Sequence, residues 1–523
     1  MDARTPTLEA PAATVEESDP LPVFAGPALW GVGLLLALAN FVSVLDLTIT
    51  NVSVPTIAGA LGASVSQGTW VITSYAVAEA ITVPLTGWLA GRFGAARVFS
   101  FALIAFAAVS LLCSLSPTIG ALVGFRVLQG VCGGPLMPLS QTLLLRLFPP
   151  RQQPAAMGLW SVTTLTAPIC GPILGGTLCD GFGWPLIFLI NVPVAAGAGL
   201  LAWRLLVRPR RAPAKLPFDT VGLALLVTWV GLLQVTLDLG KDQDWFASPL
   251  IAGMSLTSAI AFIAFLIWEL TSEHPIVNLR VFRHLGFTVP LIVLAFGLGG
   301  FFATNVLTPL WLQTNMGYTS AQAGMAASAT GILAVATGPL VAMMVARVDN
   351  RIIAFAGVSW LLVTSLMRGV ANTDMTFWQV WTVLLLVGAA MPAFFMPLMT
   401  MSLAAVEPEE TAGASGLSNF VRTLAGAVAT SLLTTAWEDS AASHHAELAG
   451  SLNGLGGAMG SLERGGLTAT QAVMTINRMV DTQAVQLATN QMFWAIAAVF
   501  GVSLCLIWAI PRPRRRDAGA MAH

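Results

Sequence analysis

Four charged side chains lie deep inside long apolar stretches of this 523-residue chain: Asp46, Glu79, Arg126 and Arg422. A charge buried in hydrocarbon costs several kcal/mol and therefore marks a functional position by default. At about 1.5 Å of rise per helical residue, Asp46 and Arg126 fall roughly 8 and 10 Å below the same membrane surface. We therefore expect them to form an ion pair. Glu79 falls nearer the middle of the membrane.

These carboxylates suit proton coupling. Burial strengthens proton binding to a carboxylate, whereas a nearby guanidinium weakens it. A site whose hydration and distance from an Arg change between two conformations would bind a proton on one side and release it on the other. We assign this coupling to Asp46 and Glu79, with Arg126 as the modulating cation; the alternative is a static ion pair that fixes helix packing. For Arg422, coupling or substrate contact and a structural role both stay open.

The elements that carry these groups are hydrophobic helices. The chain is 56% hydrophobic and only 9% charged, with a mean hydropathy of +0.79, whereas soluble domains carry about 25% charged residues. Windows of about 20 apolar residues, enough to span a bilayer, occur fourteen times. They run over 29–51, 66–89, 97–116, 119–143, 155–178, 185–207, 217–238, 248–270, 286–310, 322–346, 352–371, 376–401, 414–437 and 490–511. This predicts an all-α polytopic membrane protein of fourteen helices.

Basic residues are concentrated on alternate loops, which sets the orientation. One set comprises Arg92, Arg97, Arg146, Arg151, Arg204, Arg208, Arg210, Arg211, Lys215, Arg280, Arg283, Arg347, Arg351 and the C-terminal Arg512, Arg514, Arg515 and Arg516. The opposite loops hold only Lys241, Arg464 and Arg478, plus Arg368 near a helix end. Cytoplasmic loops carry the excess of Lys and Arg, so both termini are predicted to be cytoplasmic. Residues 1–28 and 512–523 form tails, the first acidic and Pro-rich rather than a cleavable signal.

One long polar segment, 438–489, is predicted to be an external loop, periplasmic in a Gram-negative cell, with a helical run over 468–487. Loops of this length are usually functional or disordered. His444 and His445 lack a third ligand at a suitable spacing, so we expect a solvated surface and no metal. The five cysteines lie in or beside apolar stretches without CxxC spacing and are interpreted as small buried hydrophobes.

The fifth span combines small residues with a helix breaker over GPILGG, residues 171–176. Gly171 and Gly175 are four residues apart, which allows close helix approach, and Pro172 removes a backbone donor. Together with Gly176, they predict a hinge at an interface between two helix bundles.

Several segments resemble the fourteen-helix drug:proton antiporters of the major facilitator superfamily. These are LDLTITNV at 45–52, GWLAGRFG at 87–94, RVLQG at 126–130 and the 171–176 segment. In that family the Arg of the RVLQG motif, here Arg126, is implicated in proton transfer. The motif that corresponds to 171–176 is associated with export. The motif at 87–94, with Gly87, Arg92 and Gly94, is the family's loop between the second and third helices.

Further segments narrow the resemblance to the EmrB-like inner-membrane subunits of EmrAB-TolC-type tripartite efflux pumps. They are QGTWVITS at 67–74, APICGP at 167–172, LDLG at 237–240 with DWF at 244–246, and SNFVRTLAG at 418–426. The chain departs from the pattern at Gly91, where an acidic residue is usual. It also departs at Trp184 and Pro185, which leaves the start of the sixth helix uncertain.

The resemblance implies two six-helix bundles, 29–208 and 285–437 with 490–511, joined by two linker transmembrane helices over 216–270. It implies alternating access around a cavity between the bundles. Asn419 and Arg422, with Phe395 and Met396 of an apolar cluster on the twelfth span, are candidate substrate or coupling residues. The alternative for that cluster, which includes Met391 and Phe394, is core or lipid-facing packing.

The function implied is proton-coupled export of hydrophobic compounds such as antibiotics and uncouplers, with no cofactor, nucleic acid or enzymatic reaction. Fatty acids or bile-acid-like amphiphiles are the alternative cargo, and proton-coupled uptake is the alternative direction. The implied partners are an EmrA-like periplasmic adaptor and a TolC-like outer-membrane channel. The 438–489 segment would then be the docking surface or, alternatively, a lid.

Overall fold

In a computed structural model of the chain, the structure describes residues 21–511 except 150, 209–217, 274, 278, 346, 407–410 and 452–454. The predicted tail 512–523, most of the tail 1–28 and the basic residues of 209–217 lie outside this part. The α-helices are α1 Gly26–Ala60, α2 Val65–Thr82, α3 Thr86–Phe93, α4 Ala95–Ser114, α5 Ile119–Gly133, α6 Leu136–Leu147, α7 Gln153–Phe182, α8 Pro185–Leu189, α9 Asn191–Leu206, α10 Thr220–Leu239, α11 Pro249–Thr271, α12 Leu285–Thr314, α13 Ser320–Val345, α14 Asn350–Arg368, α15 Phe377–Ala404, α16 Thr411–Ser451, α17 Leu455–Arg464 and α18 Ala469–Ile507. Short 3₁₀ turns at Lys241–Gln243, Trp245–Ala247 and Leu279–Arg283 complete the regular structure of the described residues.

The predicted all-α polytopic architecture is confirmed. Each of the fourteen predicted spans falls on one helix or on two consecutive helices. Within the described residues, eleven helical segments are long and apolar enough to cross a membrane. The spans 66–89, 155–178 and 414–437 are helical but are not among these eleven.

Three of the predicted spans are interrupted. A turn around Pro84 separates α2 from α3, and another before Leu136 separates α5 from α6. Proline lacks the N–H that would continue the helical ladder. In the sixth span, the departure at Trp184 and Pro185 produces a separate five-residue helix, α8, before α9 begins at Asn191. This resolves the geometry that the sequence left uncertain.

The helices assemble into two bundles. In the first, α1 packs on α7, α2 on α5, and α4 on α9; in the second, α12 packs on α16, α13 on α15, and α14 on α18. The linker helix α10 contacts α2 of the first bundle and α16 of the second, while α11 packs on α10. The linker pair is therefore asymmetric, since α10 touches both bundles.

The 438–489 segment is not a loop, which corrects our prediction. Helix α16 continues to Ser451, and α18 begins at Ala469 after an N-terminal capping box formed by Thr468 and Gln471. The predicted helical run is confirmed, but it is continuous with the last span. Polar composition ended the predicted spans, whereas a helix ends only where its backbone hydrogen bonding or capping changes.

Candidate functional site

The expected ion pair forms. Arg126 on α5 donates through Nη1 to Oδ2 of Asp46 on α1, and neither side chain is exposed to solvent. A buried pair is stable only if further hydrogen bonds satisfy both charges. The two positions therefore meet at equal depth in the bundle, as the sequence predicted.

Two further donors hold the carboxylate of Asp46. Its Oδ1 accepts from Nε2 of Gln129 at 3.0 Å and from Nδ2 of Asn191 on α9 at 2.7 Å. Gln129 Nε2 also donates to Ser110 Oγ on α4 at 2.7 Å. The sequence analysis missed these three residues. The spacing of Gln129, three residues after Arg126, places both on one helix face and would have identified it.

The Arg126 guanidinium is enclosed as well. Its Nε donates to the backbone carbonyl of Val71 at 2.9 Å, and its Nη1 also donates to Gln129 Oε1 at 2.7 Å. The ring of Tyr75 lies 4.2 Å and that of Phe188 5.6 Å from its Cζ atom, within cation–π range. Five helices of the first bundle thus contribute to one dry polar cluster.

Glu79 and Arg422 lie on opposite bundles, on α2 and α16, and interact electrostatically with each other. Glu79 is 8% exposed. Arg422 Nη2 approaches the sulfur of Met137 on α6 at 3.7 Å, and its Cζ lies 5.6 Å from the Phe395 ring centre. Arg422 therefore crosses the interface between the bundles.

A cavity of about 800 Å³ separates the bundles at one end of the molecule. Gly87 of α3, Thr142 of α6 and Asn419 of α16 are among its lining residues. Phe395 and Met396 are not. Phe394 of the same apolar cluster is fully buried in the core of the second bundle, so at this position the packing alternative is correct.

The opposite end of the interface is closed by direct hydrogen bonds. Thr56 Oγ1 lies 2.9 Å from Ser320 Oγ, and Gln313 Nε2 donates to the carbonyl of Val52 at 2.8 Å. Asp180 Oδ2 accepts from the backbone N–H of Ala321 at 2.8 Å. The bundles are thus joined at one end and separated at the other.

The small residues of α7 allow this closure. A Cβ at Gly171 would collide with Thr48 of α1, and one at Gly175 with the backbone of Ile49. At Gly176 it would collide with the backbone of Ser320 on α13. Gly171 and Gly175 therefore allow close packing within the first bundle, whereas Gly176 faces the second bundle. Helix α7 runs through Pro172 without a break. Its action as a hinge stays a prediction.

The 87–94 motif forms α3 and the turn after it. Gly94 has φ of +94°, which favours glycine and allows the chain to turn into α4. Arg92 lies in the last turn of α3.

More charged groups are buried than the sequence predicted. Glu269, Arg351 and Arg368 were assigned to loops or helix ends, yet they are 0, 6 and 9% exposed. Arg368 donates to Thr308 Oγ1, and its Cζ lies 3.9 Å from the Phe493 ring centre. A position near a helix end does not imply exposure, because neighbouring helices cover that end.

Among the residues that the structure describes, no group of three or more His, Cys, Asp or Glu side chains could hold a metal ion. His444 lies 3.2 Å from Gln491 Oε1, and His445 3.2 Å from Asp481. Both histidines therefore link α16 to α18.

Sequence comparison identifies related transporters. Residues 36–430 match the family model described as Major Facilitator Superfamily. The chain is 41% identical over 485 residues to the multidrug export protein EmrB of Escherichia coli (strain K12), covering 92% of this chain and 95% of that protein. It is 39% identical over 510 residues to the fatty acid resistance protein FarB of Neisseria gonorrhoeae, covering 95% and 99%.

Structural comparison gives the same fold. A bacterial homologue of the human lysosomal transporter Spinster, solved in an inward-facing and occupied conformation, aligns with a TM-score of 0.65 at 14% identity. The alignment covers 94% of this chain and 98% of that protein. At this identity the likeness establishes the fold alone.

Proposed function

The chain belongs to the Major Facilitator Superfamily, and we propose that it exports hydrophobic compounds from the cytoplasm in exchange for protons. One observation carries the proposal. A buried Asp46–Arg126 pair lies inside one bundle of a molecule whose two bundles are hydrogen-bonded to each other at one end and bound a cavity at the other. The EmrB and FarB relatives named above are resistance and export proteins, which supports the outward direction over uptake.

We place the open end of the cavity in the cytoplasm. Arg92 and Arg146 lie at that end of α3 and α6, and the positive-inside rule assigns such ends to the cytoplasm. Both termini would then be cytoplasmic, and the molecule a multi-pass inner-membrane protein in its inward-facing form. In this form a lipophilic compound reaches the cavity from inside the cell.

Proton binding at Asp46 competes with three N–H donors. Those of Arg126, Gln129 and Asn191 occupy three of the roughly four acceptor positions of the carboxylate. A proton there removes the negative charge that pairs with the buried Arg126, and loss of one partner of a buried ion pair is strongly destabilising, so protonation favours movement of the Arg126 helix. Protonation and helix movement are thereby coupled in the first bundle.

Glu79 and Arg422 would transmit that movement to the other bundle. The opposite charges of Glu79 on α2 and Arg422 on α16 attract each other across the interface. Asn419, one turn before Arg422, lines the cavity. A cargo molecule or a proton that weakens the attraction between them favours separation of these helices. We therefore assign Arg422 and Asn419 to coupling, with Asn419 at the cavity wall. Phe395 and Met396 stay candidate substrate or coupling residues.

The driving force is sufficient for concentrative export. Each proton moving inward contributes about 2.3 kcal/mol per 100 mV of membrane potential. Since about 1.4 kcal/mol corresponds to a tenfold ratio, one proton supports a gradient of more than tenfold for a neutral compound.

The test is drug-driven proton movement in proteoliposomes. Asp46→Asn should abolish it, whereas Asp374→Asn, the same change at an exposed loop position, should not. The proposal fails if cargo moves equally well with the pH difference and the voltage both collapsed. Replacing the drug by a fatty acid distinguishes the two cargo classes, and the sign of the proton flux distinguishes export from uptake.

We further propose that the α16–α18 hairpin, residues 438–489, docks a periplasmic adaptor that leads to an outer-membrane channel. Val473, Met474 and Met479 of α18 are 51, 65 and 63% exposed within an otherwise polar segment. At 3.6 residues per turn these side chains lie on different sides of α18, so the proposal is supported by the position of the segment outside the predicted spans and by the EmrB relatives, and not by one continuous apolar patch. Trp437 Nε1 donates to Thr489 Oγ1 at 2.9 Å, which fixes the base of the hairpin.

Replacing Val473, Met474 and Met479 by Glu keeps the helix and removes the apolar surface. We expect loss of adaptor co-purification with proton-coupled transport in vesicles unchanged. If co-purification persists, the docking assignment is wrong and the lid alternative is favoured.

A further inference from the structure

A second cavity, separate from the one between the bundles, lies between linker helix α10 and helices α2 and α5. It has a volume of about 480 Å³, within the range of small-molecule sites. Its walls are aliphatic. They include Val77 and Ile81 of α2, Val127 and Val131 of α5, and Val227 and Val235 of α10.

This cavity opens toward the outer surface of the bundle. Val127, Val131, Val227 and Val235 are 40, 46, 46 and 40% exposed. In a membrane that surface faces lipid, so a compound dissolved in the bilayer reaches the cavity sideways. The α10 groove, as we call it, needs no opening of the interface between the bundles.

One end of the α10 groove is polar and anionic. Asp238 of α10 lines it, and its carboxylate accepts hydrogen bonds from Thr73 Oγ1 at 2.9 Å, from Gln234 Nε2 at 2.8 Å and from Ser431 Oγ. All three donors are neutral. Among the side chains that the structure describes, no cation forms an ion pair with Asp238.

Two lining residues have acceptor atoms that are buried and unused. Gln234, 4% exposed, has no partner for Oε1, and Ser74 has none for Oγ. The amide orientation of Gln234 is fixed, because its Nε2 must face a carboxylate that only accepts. A buried acceptor without a donor costs free energy, so this end of the groove lacks a group that supplies N–H donors.

We propose that the α10 groove binds lipophilic primary ammonium compounds. The ammonium supplies the positive charge that Asp238 lacks and the N–H donors that Gln234 and Ser74 lack. The hydrocarbon part lies along the valine-lined wall. The site is independent of the proton-coupled transport proposed above, because the groove lies outside the cavity between the bundles and its occupancy is measured at equilibrium.

The experiment uses the full chain in phosphatidylcholine nanodiscs, which contain no primary ammonium group. Binding of dodecylammonium, dodecyltrimethylammonium and dodecanoate is measured by calorimetry, with empty discs subtracted. A charge-assisted hydrogen bond is roughly twice as strong as one between neutral groups. We therefore expect dodecylammonium to bind about tenfold tighter than its trimethyl analogue, and dodecanoate to show no saturable binding. Equal affinities of the two cations would overturn the acceptor role of Gln234 and Ser74.

Asp238→Asn should weaken dodecylammonium binding about tenfold or more, and the exposed Asp374→Asn control should not change it. Val131→Trp, at an exposed rim position where folding tolerates the change, should block binding by filling the groove. Unchanged affinity in both groove variants would overturn the proposal. Discs containing phosphatidylethanolamine, whose headgroup is a primary ammonium, show whether lipid competes as the resident ligand.

Discussion

Asn191 donates a 2.7 Å hydrogen bond to Asp46, the same carboxylate that pairs with Arg126. The two residues lie 145 positions apart, on α9 and α1. The bond closes the polar cluster on the side away from Arg126. It also makes the cluster dependent on α9, whose start is set by the unusual Trp184–Pro185 sequence and the separate helix α8.

We predict that Asn191→Leu, which keeps the branching at Cγ but removes the donor, destabilises the protein by about 1–3 kcal/mol, because a buried charge loses a hydrogen bond. Asn477→Leu is the matched control. It removes a similar Asn–Asp bond, 3.1 Å long but exposed on α18, and should change stability by less than about 0.5 kcal/mol. Denaturant unfolding in detergent measures both; equal effects would show that the bond to Asp46 is dispensable.

Because Asp46 and Arg126 form a buried ion pair, we predict that the stability losses of the two single variants do not add up in the double variant. Asp46→Asn leaves Arg126 buried and unpaired, which typically costs about 3–5 kcal/mol. The double variant Asp46→Asn with Arg126→Gln removes both charges and should be more stable than the single one. Thermal unfolding of the two single variants and the double variant tests this. Additive losses would mean that the pair contributes nothing beyond its two separate side chains.

The sequence predicted those site residues whose charge differs from the apolar residues around them. Asp46, Glu79 and Arg126 are charges in apolar runs, and an approximate depth was enough to pair two of them. Asn191 is neutral, and many such residues occur in membrane helices, so its role emerged only from packing. Gln129 is also neutral, but its spacing from Arg126 was a usable signal. Asp238 was noticed as part of a motif, but its neighbours Thr73 and Ser431 come from helices far apart in sequence.

The predicted helix ends were also less accurate than the predicted helices themselves. Each span predicted from hydropathy falls on helix, but the prediction ended α16 at 437 and began α18 at 490, where the side chains become polar. The backbone continues because Thr468 and Gln471 cap α18 much earlier, and α16 reaches Ser451. Arg368 was placed near a helix end and expected to be accessible, although packing against Phe493 buries it.

The close approach of α7 to α1 gives a third prediction. Gly175→Ala places a methyl group against the backbone of Ile49, which cannot move aside as a flexible side chain would. We expect a loss of about 1–3 kcal/mol from overpacking. Gly181→Ala on the same helix meets open space and should be neutral or stabilising by up to about 1 kcal/mol, since alanine is the better helix former. Similar unfolding midpoints for the two variants would contradict this account.

A last prediction concerns the closed end of the interface. Gln313 connects the bundles, because its Nε2 donates to the Val52 carbonyl while its Oε1 accepts from Ser320 Oγ at 2.9 Å. Gln313→Ala removes the bond between the bundles, worth about 0.5–1.5 kcal/mol. Because about 1.4 kcal/mol is a tenfold change in an equilibrium, the population open at the opposite end should fall by about two- to tenfold.

That change is measurable as slower maleimide labelling of Thr142→Cys, an exposed residue of the open cavity, in a chain whose exposed Cys505 is replaced by Ser. Gln322→Ala is the control, since Gln322 only accepts from the Thr319 N–H within its own turn. If Gln313→Ala labels at the control rate, the hydrogen bonds at this end do not hold the two bundles together. The populations would then be set by packing of α7 against α13, where Gly176 permits the backbones to touch.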